Sequence, residues 1–479
     1  MKFLRVLPLL VLSWLVSNSA QADESIKVRL PTEPTTYDWN RATDAPSTFL
    51  ISQIMRGLYK VNADGKVEKD LAKSLKQTSM SLVFEIAPNI KWSDGVPLVA
   101  QHFVDSIQRT LDSKNPSAAA SYLSFIKSVR ALDTSKFEIS LSRPIGYAEA
   151  LFTHPALFPI RKETMDQEPT RSLLGPFTIA SRKSDQSLTL VPNPYYSPKA
   201  SSSVEIRFVE NDTTAESLFE SKMIDVSLSS SAMTMRNSKD LHRSANGRVV
   251  ALIYNSEKAP FNTIDVRRAL EAGFKKADLV KALGAGQVPT NHWISDLFRK
   301  AAGSSESKTQ TSLGLSKVKF PERVKLTIVG RDDAKLVAEI IQAQLKTAFK
   351  IAVEIEALDL KTYLAKLRTG EIQMALFGWT PGFPDAINEL EVFTSTGQAK
   401  ALFKNTEYDK LVLAAAAAQG AAKDPTREAA ENYLLRDQAA LIPLYEDIQL
   451  NQVSPKIQGA PKLGAPWNFE TLKKVPVDF

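Results

Sequence analysis

Four histidines, His102, His154, His242 and His292, are the side chains best suited to move a proton or ligate a metal, and the chain contains no cysteine. None of the four has a second histidine or a carboxylate at zinc-ligand spacing, and the acidic residues are scattered rather than paired for acid–base work. No nucleophile elbow, phosphate-binding loop or dinucleotide fingerprint occurs. No catalytic residue, metal or cofactor is therefore expected. His102 falls beside the apolar stripe of an amphipathic pattern and reads as structural.

More character resides in Phe377-Gly378-Trp379-Thr380-Pro381-Gly382-Phe383-Pro384-Asp385-Ala386. It follows a buried strand read at Ile372 to Phe377 and then breaks into Gly, Pro and aromatic residues that continue neither strand nor helix. A large aromatic at a strand end, followed by a rigid loop, can form the wall of a ligand pocket. The same residues also suit a turn capped by a core tryptophan.

The elements that must position this loop alternate β, α, β, α, β. Val324, Leu326 and Ile328 alternate, and Leu336, Val337, Ile340, Ile341, Leu345 and Phe349 form a helical stripe. Ile351, Val353 and Ile355 alternate again, and Leu360, Tyr363, Leu364 and Leu367 make a second helix ending at Gly370. This order argues for an α/β lobe, in which ligands sit beyond the carboxyl ends of the strands. Upstream, strands are expected at Ile26 to Leu30, Leu82 to Ile86, Phe137 to Leu141, Leu188 to Val191, Val204 to Phe208 and Val249 to Tyr254. Ser47 and the Thr213/Glu216 pair read as helix caps, and Asp424-Pro425 as the start of another helix. Leu441 to Tyr445 reads as a short strand, residues 302–317 as an exposed loop and the tail as irregular.

The 479 residues are 43% hydrophobic and 24% charged, which is ordinary for globular proteins, and the net charge of +7 is dispersed, without the runs that mark nucleic-acid binding. Lys2 and Arg5 precede an apolar run, Val6 to Val16, and Ala20-Gln21-Ala22 offers a signal-peptidase site. Cleavage is expected after Ala22. The run is too short for a normal membrane span, and without cysteine there is no lipid anchor at a mature terminus. These features point to a soluble, periplasmic protein without disulfides.

Several segments together resemble the family-5 solute-binding proteins of ABC importers, the dipeptide- and oligopeptide-binding type. They are Glu33-Pro34-Thr35-Thr36-Tyr37-Asp38, Gly57-Leu58-Tyr59, Leu71-Ala72-Lys73-Ser74, Lys91-Trp92-Ser93-Asp94-Gly95, Gly175-Pro176-Phe177, Asn193-Pro194-Tyr195-Tyr196, Pro260-Phe261-Asn262 with Val266-Arg267-Arg268-Ala269-Leu270, and Gly378-Trp379. Each is weak alone; their shared order carries the resemblance over nearly the whole chain.

The resemblance implies an α/β, two-lobed periplasmic binding protein of the Venus-flytrap, type II-like class. Lobe I would comprise residues 23–45, 165–250 and 446–479 with an extra subdomain at 46–164, and lobe II residues 251–445. It implies a monomer that captures peptides by hinge closure and passes them to an inner-membrane ABC permease. The implied ligand-binding residues are Thr35 and Thr36 from lobe I, and Arg331, Gly378, Trp379, Thr380, Gly382, Phe383 and Asp385 from lobe II; Trp92 and Asp94 would be scaffold. Relatives that bind free peptides usually carry an Asp, which pairs with the ligand's α-ammonium, where this chain has Gly382. Asp385 could substitute, and Arg331 could meet an anionic group. The departure leaves open a non-peptide ligand, such as an oligosaccharide, an opine-like molecule or a metal chelate. An exported hydrolase or a scaffold protein on the same fold is the rival class.

Overall fold

A computed structural model describes residues 25–115, 117–165, 169–230, 239–299, 318–462 and 464–475. The expected signal segment and the 302–317 loop lie outside the described residues.

The first strand, Ile26–Leu30, pairs in parallel with Val204–Phe208 on one side and Val226–Ser230 on the other. Past Val204–Phe208 the sheet continues antiparallel through Ser187–Pro192 to Phe177–Lys183. Past Val226–Ser230 come two long strands, Leu441–Val453 and then Leu241–Tyr254. The sheet then crosses into a second half built of Met374–Trp379, Arg323–Val329 and Ala352–Leu358.

The two long strands join the halves. Leu450 to Val453 pairs with the first half, whereas Val249 to Tyr254 pairs with Met374–Trp379 in the second. Between these regions the long strands slip register, from Ala245 to Val249 and again from Val250 to Ala251. Gly247 lies inside the first slip at φ +70°, a conformation that costs glycine little. Sequence periodicity predicts only the Val249 to Tyr254 and Leu441 to Tyr445 portions. The remainder, Leu241 to Arg248 and Glu446 to Val453, is largely polar because these stretches bridge the lobes instead of covering a core.

The second half has the expected α/β layering. Leu326 and Ile328 are fully buried, as are Ala338 and Ile341 of the helix Asp332–Phe349 that packs over them. Gly370 closes the helix Leu360–Thr369 at φ +72°, as its position predicts. The third strand ends later than periodicity predicts. Gly378 and Trp379 still pair with Val250 and Val249, because the missing side chain at Gly378 leaves room for the Arg248 guanidinium.

A separate four-stranded antiparallel sheet runs Ala72–Gln77, Ser81–Ile86, Lys136–Leu141, Ile126–Ala131. The helix Ala100–Thr110 covers it, with Phe103 stacked on Phe137 at 5.3 Å. Trp92 is fully buried, Asp94 pairs with Arg161, and His102 Nδ1 accepts from the Val99 N–H and the Trp92 indole N–H at 3.2 and 3.3 Å. Burial pushes the His102 pKa down, consistent with a neutral structural ring.

Three helix starts differ from expectation. Asp44, not Ser47, caps Ala45–Ile54, its Oδ1 accepting the Ser47 N–H at 2.9 Å. Asn211 does the same for Asp212–Glu220, two residues before Thr213. The helix Lys423–Asn432 begins before Asp424-Pro425. In the first two, an Asx oxygen three residues ahead reaches an otherwise unpaired helix N–H, which a sequence-level cap assignment can misplace by a turn.

Candidate functional site

The halves close over a cavity of about 760 Å³, within the usual size range of ligand sites. One wall is the outward face of the helix Ala45–Ile54, carrying Thr48, Phe49 and Ser52. Tyr59, Phe158 and Tyr196 extend it. Leu297, Phe298 and the loop Pro381 to Pro384 come from the other half. The C-terminal segment Gly464 to Asn468 forms an end.

That segment is held by Gln53. Its Nε2 donates to the Trp467 carbonyl at 3.1 Å, and its Oε1 accepts the Phe469 N–H at 2.8 Å. Two ion pairs lie in this wall. Arg56 Nε contacts both Asp70 oxygens at 3.0 Å and its Cζ lies 4.9 Å from the Tyr196 ring centroid, while Asp64 sits 3.5 Å from Lys462. A lining of aromatic faces and two ion pairs, with the Glu470 carboxylate whose Oε2 has no hydrogen-bond partner among the described residues, suits a ligand of mixed polarity.

Phe298 is positioned by carboxylates. Glu431 Oε1 accepts the N–H groups of Trp293 and Ile294 at 2.7 and 2.8 Å, Glu389 Oε1 accepts that of Ser295 at 2.9 Å, and Glu446 Oε1 that of Asp296 at 2.6 Å. Glu389 is 1% exposed, and its Oε2 has no hydrogen-bond partner. Burial first, then the nearby Glu431, Glu446 and Asp385 carboxylates, push its pKa well above the carboxylate range. A carboxyl with a raised folded-state pKa stabilises the fold below the unfolded value and loses that contribution as pH rises toward the folded one. Glu389→Gln keeps Oε1 as acceptor and removes the charge. It should raise the melting temperature at pH 8, by an effect on the order of 1 kcal/mol, and change little at pH 4. A lower melting temperature at pH 8 would show that the ionised form is the one the fold needs.

The loop after Trp379 is braced on every side. The Gly382 N–H donates to Asn388 Oδ1 at 2.9 Å. Phe383 stacks on Tyr147 of the opposite side, with centroids 5.6 Å apart and planes 5° from parallel. Asp385 is 7% exposed; both oxygens lie 2.6 Å from Arg427 Nη2, and Oδ1 accepts the Ile387 N–H at 3.0 Å. Its carboxylate is thus committed within its own lobe. A Cβ at Gly382 would lie 3.3 to 3.4 Å from the His154 ring. That imidazole accepts the Ala156 N–H at Nδ1, and burial pushes its pKa down to about 4.

Of the expected site residues, Gly382 and Phe383 line the main cavity. Trp379 lines a smaller one of about 230 Å³. Thr35 and Thr36 instead brace the start of a cavity-lining helix: Thr35 Oγ1 bonds Asp44, and the Thr36 N–H donates to Ser47 Oγ at 3.2 Å. The Glu33 to Asp38 segment is anchored by Glu33–Arg182 at 2.6 Å and by Asp38–Arg109 at 2.6 Å. Arg331 is exposed at the N-terminus of Asp332–Phe349 and pairs with Asp333 at 2.7 Å, outside both cavities. Gly378 and Thr380 also lie outside both linings.

Sequence reasoning missed Phe49, Arg56, Tyr196, Phe298 and Trp467. Thr48 and Ser52 on the polar side of an otherwise apolar helix, and a tryptophan in a tail read as irregular, were the available signals.

The family model for the middle region of the bacterial extracellular solute-binding proteins, family 5, matches residues 66–401. The chain is 24% identical to the oligopeptide-binding protein OppA of Bacillus subtilis, over 81% of each chain. It is 25% identical to the periplasmic murein peptide-binding protein MppA of Escherichia coli, over 93% of this chain and 92% of that one. Its fold matches that of Haemophilus influenzae OppA in complex with RPPGFSPFR, with a TM-score of 0.75 and 21% identity over 95% of this chain and 100% of the other.

Proposed function

Because this chain belongs to the family-5 bacterial extracellular solute-binding proteins, we propose that it captures peptides in the inter-lobe cleft and delivers them to an inner-membrane ABC permease. One observation carries the reading: a cavity of peptide-accommodating size lies between two halves that, among the described residues, share two long strands, both irregular beside the cleft. Irregular register and Gly247 supply the backbone freedom that a hinge needs. A ligand touching both lobes then stabilises the closed form by its differential affinity. Lobe I is assigned to residues 23–45, 165–250 and 446–479 with the extra subdomain 46–164, and lobe II to 251–445. Export with cleavage after Ala22 belongs to the same reading, and the intact mass of the periplasmic protein checks it.

The ligand's N-terminus meets an uncharged surface on this reading. Gly382 and Phe383 line it there, the neutral His154 ring packs beside Gly382, and Asp385 is engaged by Arg427. An unpaired ammonium buried there would be costly. The same feature favours a second reading, in which the ligand has a blocked amine or none. Calorimetry with a tripeptide and its N-acetylated form decides. The parent should bind the acetylated form at least as tightly. Gly382→Asp, which restores a carboxylate beside the cleft, should shift preference toward the free amine by roughly tenfold, equivalent to 1.4 kcal/mol. No binding of either peptide by the parent would remove the peptide reading. A parent preference for the free amine would locate an acidic contact elsewhere.

A further inference from the structure

Among the large apolar side chains exposed on the described residues, Leu297 is the one that lines the main cavity; it is 38% exposed. Its backbone leaves it little freedom. The four residues before it, Trp293 to Asp296, each donate an N–H to a carboxyl group of Glu431, Glu389 or Glu446. The Ser295 hydroxyl donates to Glu446 Oε2 at 3.3 Å and accepts the Leu297 N–H at 3.3 Å. All three carboxyl groups are buried, so their removal from water is spent on fixing one loop. The tip of that loop is seated on glycine. A Cβ at Gly464 would lie 2.7 Å from Leu297 Cδ2, and one at Gly247 would lie 2.9 Å from Phe298 Cε2. Leu297 and Phe298 therefore rest on the backbone of the tail and of a long strand. Ala465 and Pro466, next in the tail, also line the cavity. Gly65 approaches the Gly464 carbonyl, and its neighbour Asp64 is paired with Lys462 at 3.5 Å. An apolar side chain held in place and left uncovered inside a cavity gains free energy when an apolar group covers it.

We propose that Leu297, with Phe298 beside it, forms a subsite that selects an apolar side chain of the ligand, and that Glu431, Glu389 and Glu446 are positioning residues for it. The inference rests on the reading that the cleft binds peptides, and it names the class of side chain that one position of the peptide carries. It does not depend on how the ligand's N-terminus is met.

Calorimetry with N-acetylated alanine tripeptides, carrying leucine or asparagine in turn at each of the three positions, tests it. The two side chains are close in size, so the comparison isolates polarity. At one position the parent should prefer leucine by roughly tenfold, the effect of covering part of an exposed leucine. Leu297→Asn, a change at an exposed residue, should reduce that preference to about twofold or less. Glu431→Ala frees the Trp293 and Ile294 N–H groups and should also lower the preference, whereas Glu431→Gln, which keeps Oε1 as their acceptor, should restore it. If Glu431→Ala does not fold, Leu297→Asn decides the matter. Equal affinity for leucine and asparagine at all three positions, or a preference that Leu297→Asn leaves intact, would overturn the subsite and leave peptide capture standing. A preference lost in Leu297→Asn but kept in Glu431→Ala would overturn the positioning role of that carboxylate. Failure of the parent to bind any of the peptides would remove the peptide reading and this inference with it.

Discussion

Gly146→Val should strip this protein of most of its ligand affinity while leaving it folded. Gly146 follows the strand Lys136–Leu141 of the separate four-stranded sheet, and its N–H donates to the Ala416 carbonyl of the helix Thr406–Ala417 at 2.6 Å. A side chain there would collide with the Ala418 carbonyl oxygen across the seam. Backbone cannot yield as a flexible side chain can, so the two sides must separate. The same seam holds the Phe383–Tyr147 stack and the Arg143–Glu391 ion pair, and a separation at Gly146 loosens both. Gly146 itself has no left-handed backbone angle, so valine imposes no strain within its own lobe. If the closed form falls to about 1% of the population, apparent affinity falls about 100-fold. Calorimetry would record that loss, and small-angle scattering would show a radius of gyration that ligand no longer reduces. Gly146→Ala should behave alike, since the collision is with Cβ. A valine variant that binds and compacts like the parent would show that the seam is not part of closure.

The second large effect is on stability. Asp385→Ala should cost about 3–5 kcal/mol, because it leaves the buried Arg427 guanidinium without its carboxylate. Arg427 is 12% exposed at its side chain, and its Nε has no hydrogen-bond partner, so little else compensates the charge. Arg427→Ala should be comparably damaging, and the double variant should lose much less than the sum, as expected for groups that act as a pair. Urea denaturation of the four proteins measures this. Unchanged stability in Asp385→Ala, with weakened binding of free-amino peptides, would reassign this carboxylate to the ligand.

Much of the fold was legible because core-facing elements impose a period. The strands Ile26–Leu30, Arg323–Val329 and Ala352–Leu358, and the helices between them, carry apolar residues wherever their geometry points them inward. Turn chemistry was equally local: Gly370 sits at the positive backbone angle that its position at a helix end required. The order of the short motifs from Glu33 to Trp379 identified the family without any contact being known.

Tertiary structure alone decided what depends on partners distant in the chain. The full length of the strands Leu241–Tyr254 and Leu441–Val453 was hidden, because two polar stretches pair across some 200 positions and need no apolar signature to do so. Asp385 resembled a free carboxylate until Arg427, 42 positions later, was seen to hold both of its oxygens. Thr35 and Thr36 resembled cleft residues until Asp44 and Ser47 engaged them. The cleft itself is assembled from the helix at 45, the loops at 298 and 382 and the tail at 467. No window of sequence holds that set together; only the closing of one lobe on the other does.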